Sequence, residues 1–186
     1  MEFVEPIRDK KKIEAMKKML LAESMRNYVF FVLGINSGIR VSDLCNLKDY
    51  DVKESNGKIK ERIVIREIKT GKSKNYPINE SAKKALIGYI GEKKPDGEYI
   101  FKSRKGDKPI TRVQAYRILN DAATLVGIPS IGTHSLRKTF GYHAYKNGTS
   151  ITLLQKLFNH TSQKDTLKYI GITQDDIDEV YININL

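Results

Sequence analysis

Six side chains, taken in chain order, hold the parts needed to cut a phosphodiester: Arg40, Lys69, His134, Arg137, His160 and Tyr169. Cleaving such a linkage takes positive charge on the non-bridging oxygens, a nucleophile, and a proton for the leaving oxygen. Arginine suits the first task because its planar fork offers paired hydrogen bonds to phosphate and never loses its charge. His134 and Arg137 lie three residues apart in a helix expected over 133–147, so they share a face and both can point at one phosphate. Arg40 and Asp43 have the same spacing, which lets the carboxylate orient the guanidinium or a nearby imidazole. A plain surface contact explains either pair when it is taken alone. Tyr169 is a poor nucleophile at a phenol's ordinary pKa of about 10, so it needs a base or strong electrostatic help.

The remaining candidates are weighed the same way. His160 follows the amphipathic run 151–158, which anchors it, although a histidine that merely caps that helix is the plainer reading. His143, nine residues beyond His134, falls on the opposite face and is assigned to packing or solvent. Lys69 sits at a hairpin, from which an ammonium can approach a leaving oxygen as general acid. On chemistry alone it is one solvated lysine among many. Gly71-Lys72-Ser73 looks like the end of a phosphate-binding loop, but the glycine needed five residues earlier is Arg66, so nucleotide binding is rejected. Three histidines and the lone Cys45 lack metal-ligand spacing, and no metal or other cofactor is expected.

The elements that must carry these groups follow from periodicity. Residues 9–23 read as a helix with Ile13, Met16, Met19 and Leu20 at helical spacing. Ser24 is placed to cap a second, mostly buried helix that Gly38 breaks, and a short helix starts near Arg40. Residues 62–69 and 73–78 read as the strands of a β-hairpin with a basic tip at Thr70-Gly71-Lys72. Helix resumes over about 80–91, then from the capping-box pattern Thr111 to Gln114 as far as Gly127. Gly148 ends one helix of the last third and Ser150 caps the next. The fold class is mainly α with a small antiparallel β-sheet, in one domain spanning 1–186.

Net charge is +11, from 33 Lys and Arg against 22 Asp and Glu, which calls for a polyanionic partner, most often nucleic acid. The charge is segregated: residues 53–74 hold eight basic residues against three acids, and 171–186 hold four acids and no base. Lys72, Lys74 and Arg112 are candidates for contacts to a DNA backbone. No apolar run is long enough to span a membrane, the N-terminus lacks a signal-peptide pattern, and a single cysteine allows no internal disulfide. A reduced, cytoplasmic setting is expected.

Together these residues resemble the tyrosine recombinases, the family of bacteriophage and transposon integrases. The resemblance covers essentially the whole chain, as the family's C-terminal catalytic domain. It is carried by Gly38-Ile39-Arg40-Val41-Ser42-Asp43-Leu44, the hairpin Lys69, His134-Ser135-Leu136-Arg137, His160 and Tyr169, in that order. It implies that Tyr169 attacks the scissile phosphate to form a 3′-phosphotyrosyl bond and release a 5′-hydroxyl. His134 and His160 would manage protons, Lys69 would protonate the leaving oxygen, and Asp43 would support the site. The covalent bond conserves the phosphodiester energy, so neither ATP nor a metal is implied. Double-stranded DNA is the implied partner, in a cytoplasmic protein encoded by a bacterium, phage or mobile element. The segment 173–186, with Ile177, Val180, Tyr181 and Ile184 on one helical face, would dock on a second protomer, or else fold back on its own core. The family's N-terminal DNA-clamping domain is not found here: the chain is either a fragment or a small stand-alone relative, and if it acts alone weaker binding with a steep salt dependence is expected. Two alternatives stand beside recombination: DNA relaxation of the type IB topoisomerase kind, and a non-catalytic DNA-binding module.

Overall fold

Helical spacing of apolar residues in the first third of the chain becomes a pair of packed helices. The computed structural model describes residues 4–91, 93–129, 131–132 and 134–183. Helix α1 spans Lys10–Glu23, with the Asp9 side chain capping it by accepting from the Lys11 N–H. It buries Ile13, Met16 and Leu20, while Met19 is 40% exposed. One residue ahead of Leu20, Met19 is turned about 100° off the buried stripe. Helix α2, Met25–Ser37, buries the run from Val29 to Gly34. Ser24 stands between the two helices as expected, but its hydroxyl makes no capping bond. Gly38 ends α2 in the left-handed conformation (φ 65°), and a Cβ there would meet Phe140 Cδ1 at 2.7 Å. Glycine is required on both counts.

Short helices α3 (Val41–Cys45) and α4 (Asp49–Val52) follow; α4 is an element that periodicity did not reveal. Strands β1 (Arg62–Arg66) and β2 (Ser73–Pro77) pair antiparallel, with Arg62 opposite Pro77 and Arg66 opposite Ser73. Beyond them lie α5 (Glu80–Ile90) and α6 (Arg112–Leu125), the latter opened by the expected box between Thr111 and Gln114. Helices α7 (Ser135–Lys146), α8 (Ile151–Phe158), α9 (Gln163–Ile170) and α10 (Gln174–Asn183) complete the chain. The helical fold with its small antiparallel sheet is the class expected from sequence.

Strand β1 stops three residues short of its expected end because Glu67 has another task. Its side chain turns inward, is almost fully buried, and forms an ion pair with the Arg40 guanidinium. The Thr70 hydroxyl donates to it at 2.7 Å and the buried Tyr76 phenol at 2.8 Å. Burial alone would raise the Glu67 carboxyl; its bonds to Arg40, Thr70 and Tyr76 outweigh that and hold it at about 2. Asp43 does not bind the Arg40 guanidinium directly. One of its oxygens accepts the Ile68 N–H at 2.8 Å, so Asp43 anchors the hairpin turn and Glu67 takes the arginine. Both contacts fasten the hairpin onto α3.

A second, smaller apolar cluster holds the C-terminal part. Leu154, Phe158 and Ile170 are buried there, with Phe140, Tyr145, Ile151 and Tyr169 packed around them. Gly141 of α7 lets this cluster close: a Cβ there would lie 2.6 Å from Ile170 Cγ2 and 2.7 Å from Phe158 Cζ. The tail that follows is tied to its own chain. Asp176 accepts the Thr173 N–H at 2.9 Å and pairs with Lys146 at 2.8 Å and Arg8 at 3.4 Å. Tyr181 and Ile182 are 78% and 74% exposed. Ile184 and the side chains of Ile177 and Val180 lie outside the described residues.

Two outcomes are expected. Glu67→Gln leaves Arg40 without its counter-charge and should destabilise the fold by about 3 kcal/mol. A carboxylate held at about 2 stabilises the fold fully above its unfolded value and loses that contribution as pH falls toward 2. Denaturant titrations between pH 5 and about 2 should therefore show a downward slope in the wild type that is shallower in the variant; equal slopes would count against the ion pair. Gly141→Ala should force α9 away from α7 while the larger core persists. Its expected signature is a near-native circular dichroism spectrum with lost protection of residues 163–171 in hydrogen exchange; unchanged protection there would refute it.

Candidate active site

Tyr169 projects from the last turn of α9, whose start is set by Ser162 accepting from the Asp165 N–H and whose end is Gly171 in the left-handed conformation. Its phenol oxygen lies 3.4 Å from His134 Nδ1. The ring meets His160 edge-on at 4.9 Å between centroids and Phe158 at 5.4 Å. The Lys138 ammonium stands 5.5 Å from the same ring. Burial raises the phenol above its ordinary value, and the Arg137 and Arg40 guanidinium groups pull it partly back. Tyr169 is therefore a protonated phenol at neutral pH, half-enclosed and facing positive charge.

Arg137 is the most deeply held of the site's cations. It is 4% exposed, donates from Nη1 to the Gly38 carbonyl, and stacks 4.8 Å over the Phe158 ring. The helix break at Gly38 thus supplies an acceptor to the guanidinium as well as a turn. Burial lowers its pKa, and the positive Arg40 adds to the effect.

His134 precedes α7 as its N-terminal cap, with its carbonyl accepting the Lys138 N–H at 2.9 Å. This amends the expected helix over 133–147: the pair at 134 and 137 converges from a cap and a first turn, and Thr133 lies outside the described residues. Burial lowers the His134 pKa, and the cations Lys138, Arg112, Lys69 and Arg137 add to it. His160 follows Asn159, which ends α8 at φ 59°, a conformation asparagine tolerates better than most residues. Its Nδ1 faces the Thr166 hydroxyl at 3.1 Å, which leaves Nε2 as the outward nitrogen. Burial and then Arg137 lower its pKa, while Asp165 opposes them. His143 instead meets the Ile7 carbonyl at 2.9 Å, a packing role.

An open cleft beside the phenol is lined by Arg40, Val41, Ser42, Ile68, Lys69, Arg112 and His134. Lys69 is exposed in the hairpin turn and Arg112 opens α6, so both bring free positive charge to one rim. Of the other two basic candidates, Lys72 is exposed at the hairpin end, whereas Lys74 donates to the Leu157 carbonyl at 3.4 Å and ties the hairpin to α8. All six residues singled out by spacing meet around the His134–Tyr169 contact. Sequence reasoning missed Glu67, although it is the only acid between residues 62 and 74 in a strongly basic stretch. It also missed Lys138 and Thr166, whose types carry no signal without the neighbours they touch.

Such an arrangement can bind a tetrahedral anion between guanidinium groups, take a proton from the phenol at a neutral imidazole, and deliver one from the hairpin ammonium. The chain is 43% identical over 181 residues to the probable integrase/recombinase YoeC of Bacillus subtilis, covering 97% of both chains. It is 30% identical over 166 residues to tyrosine recombinase XerC of Staphylococcus saprophyticus, covering 87% of this chain and 54% of XerC, about half its length. Its fold superposes on the XerH site-specific recombinase bound to a palindromic difH substrate with a TM-score of 0.73 at 18% identity, over 94% of this chain and 51% of that one. The signature of the phage integrase family matches residues 8–175, and with that span and these relatives the chain belongs to the phage integrase family.

Proposed function

We propose that this chain is a site-specific recombinase that cuts and rejoins double-stranded DNA through a 3′-phosphotyrosyl bond. The observation that carries this reading is the 3.4 Å approach of the Tyr169 phenol to His134 Nδ1, beside two arginines that act on the same oxygen. Arg40 and Arg137 take the non-bridging oxygens of the scissile phosphate. The phenol oxygen attacks phosphorus while its proton passes to His134 Nδ1. The bond from phosphorus to the 5′ oxygen breaks, and Lys69 supplies that oxygen with a proton. His160 presents Nε2 to the phosphoryl group and donates to it in the imidazolium form, which the phosphate's negative charge favours. Attack by the 5′-hydroxyl of another strand reverses each transfer and regenerates the phenol. The phosphotyrosyl bond stores the energy of the bond it replaced, so rejoining draws on no external source.

Arg112 and Lys72 extend the positive rim along the duplex backbone, and Asp43 and Lys74 act indirectly by fixing the hairpin. XerH, bound to its palindromic difH substrate, is the precedent for substrate binding by this fold. The described residues act as one catalytic domain. We place the protein in the cytoplasm, in keeping with a DNA target and a single buried cysteine; among the described residues, no helix is long and apolar enough to cross a membrane. Copies assembled on DNA meet through the segment 173–183, where Tyr181 and Ile182 lie open.

The direct test is a nicked suicide duplex carrying the target site. Wild-type protein should form a covalent protein–DNA band, and Tyr169→Phe should abolish it while retaining duplex affinity. A band that survives the substitution removes the nucleophile from this reading. Resealing without exchange would instead indicate relaxation. The lowered pKa of His134 fixes the sign of the pH dependence. Its imidazole stays a neutral base below the ordinary range near 6.5, so cleavage at subsaturating DNA should hold through that range and fall only at lower pH. An acid limb centred above about 6.5 would contradict a neutral His134.

A further inference from the structure

The segment ahead of α1 is extended, yet its groups are engaged by the two helices that form the site. The Ile7 N–H donates to the Thr139 hydroxyl at 2.8 Å, and the Val4 carbonyl accepts from Lys138 Nζ at 2.6 Å. Pro6 packs so close to the end of α9 that a Cβ on Gly171 would lie 2.7 Å from its Cδ. This strap crosses from α7, which carries Arg137, to the turn two residues beyond Tyr169.

Arg8 closes the strap. Its Nη2 donates to the Gly171 carbonyl at 2.5 Å and pairs with Glu5 at 3.0 Å, its Nη1 reaches Asp176 at 3.4 Å, and its guanidinium stands 5.3 Å from the Tyr142 ring. Gly171 caps α9, and the carbonyls at a helix C-terminus carry partial negative charge that a guanidinium complements. Helix α9 has eight residues and only Thr166 and Ile170 buried, so few of its own contacts resist sliding or rotation. A bond at its cap, less than one turn from the phenol, therefore restrains the phenol itself.

We infer that Arg8 is a positioning residue for Tyr169, holding the end of α9 so that the phenol stays against His134. The inference rests on the reading of Tyr169 as nucleophile. Arg8 touches no reacting group and lies outside every motif that marks the site. Its side chain is 34% exposed, and Asp176 keeps its pair with Lys146 when Arg8 is removed. Loss of Arg8 should consequently loosen the phenol without unfolding the protein.

The test compares Arg8→Ala and Arg8→Lys with a matched control, Lys12→Ala. Lys12 also bonds a glycine carbonyl past a helix end, Gly127 at 2.6 Å, but at the C-terminal end of α6, opposite the end whose Arg112 lines the cleft. Three quantities are measured in the full chain: single-turnover adduct formation on saturating nicked duplex, affinity for that duplex, and hydrogen exchange of residues 163–171. Arg8→Ala should slow adduct formation by about ten- to a hundredfold, leave affinity unchanged, and speed exchange in α9. Arg8→Lys should recover part of the rate, and Lys12→Ala should match the wild type throughout. If Arg8→Ala matches the wild type in rate and exchange, the inference is wrong. If affinity falls in step with rate, Arg8 is a DNA contact and the inference is again wrong. If the wild type forms no adduct that Tyr169→Phe abolishes, the nucleophile reading has failed and the inference goes with it, whatever α9 does.

Discussion

The buried pair of Arg40 and Glu67 is the constraint on which the rest of this site depends. Removing two charges from water is costly, and the pair survives because the carboxylate collects hydrogen bonds from Thr70 and Tyr76 in addition to its ion pair with the guanidinium. These partners come from α3, the hairpin turn and β2, so satisfying one carboxylate fixes the relative placement of three elements. The hairpin that carries Lys69 is otherwise a two-stranded ribbon, which alone is at best marginally stable in water. Glu67 and the Asp43 bond to the Ile68 N–H give it a floor. Lys69 stays exposed in the turn while its neighbours Glu67 and Ile68 are tied down.

The second organising fact is that Arg40 and Tyr169, the proposed phosphate ligand and the proposed nucleophile, stand on different cores. Arg40 belongs to the large core of α1 to α6, and Tyr169 to the small cluster around Phe158 and Ile170. Helix α7 joins them. Leu136 faces the large core, Phe140 the small one, and Arg137 lies between, bonded to the Gly38 carbonyl and stacked on Phe158. Gly38 and Gly141 are where these close approaches leave no room for a side chain. The geometry around the His134–Tyr169 contact is thus a product of interlocked packing on both sides of one helix.

Much of this was legible in the sequence because the relevant signals are local. The box at Thr111 and Gln114, the break at Gly38, the hairpin and the cap at Ser150 each follow from a few adjacent residues. The six site residues could be singled out by order and spacing, and the structure gathers them. What escaped is whatever depends on a partner far along the chain. The acid at position 67 reads as one exposed residue of a charged strand until Arg40 and Tyr76 are brought against it. Asp43 looked like the companion of Arg40 because spacing sees only helical neighbours, and a competing carboxylate from the hairpin is invisible to it. Lys74 looked like a free cation until the Leu157 carbonyl was placed beside it.

One consequence of the contact between the Tyr169 phenol and His134 reaches past the single molecule. On the proposed reading, nucleophile, imidazoles and guanidinium groups belong to one polypeptide, so each copy would be armed without borrowing a side chain from its neighbour. In an assembly that mixes intact copies with copies lacking the phenol, the number of strands opened would follow the number of intact copies. Restraint against unwanted nicks must then come from how copies are brought together on a duplex, since the parts list offers no safeguard of its own.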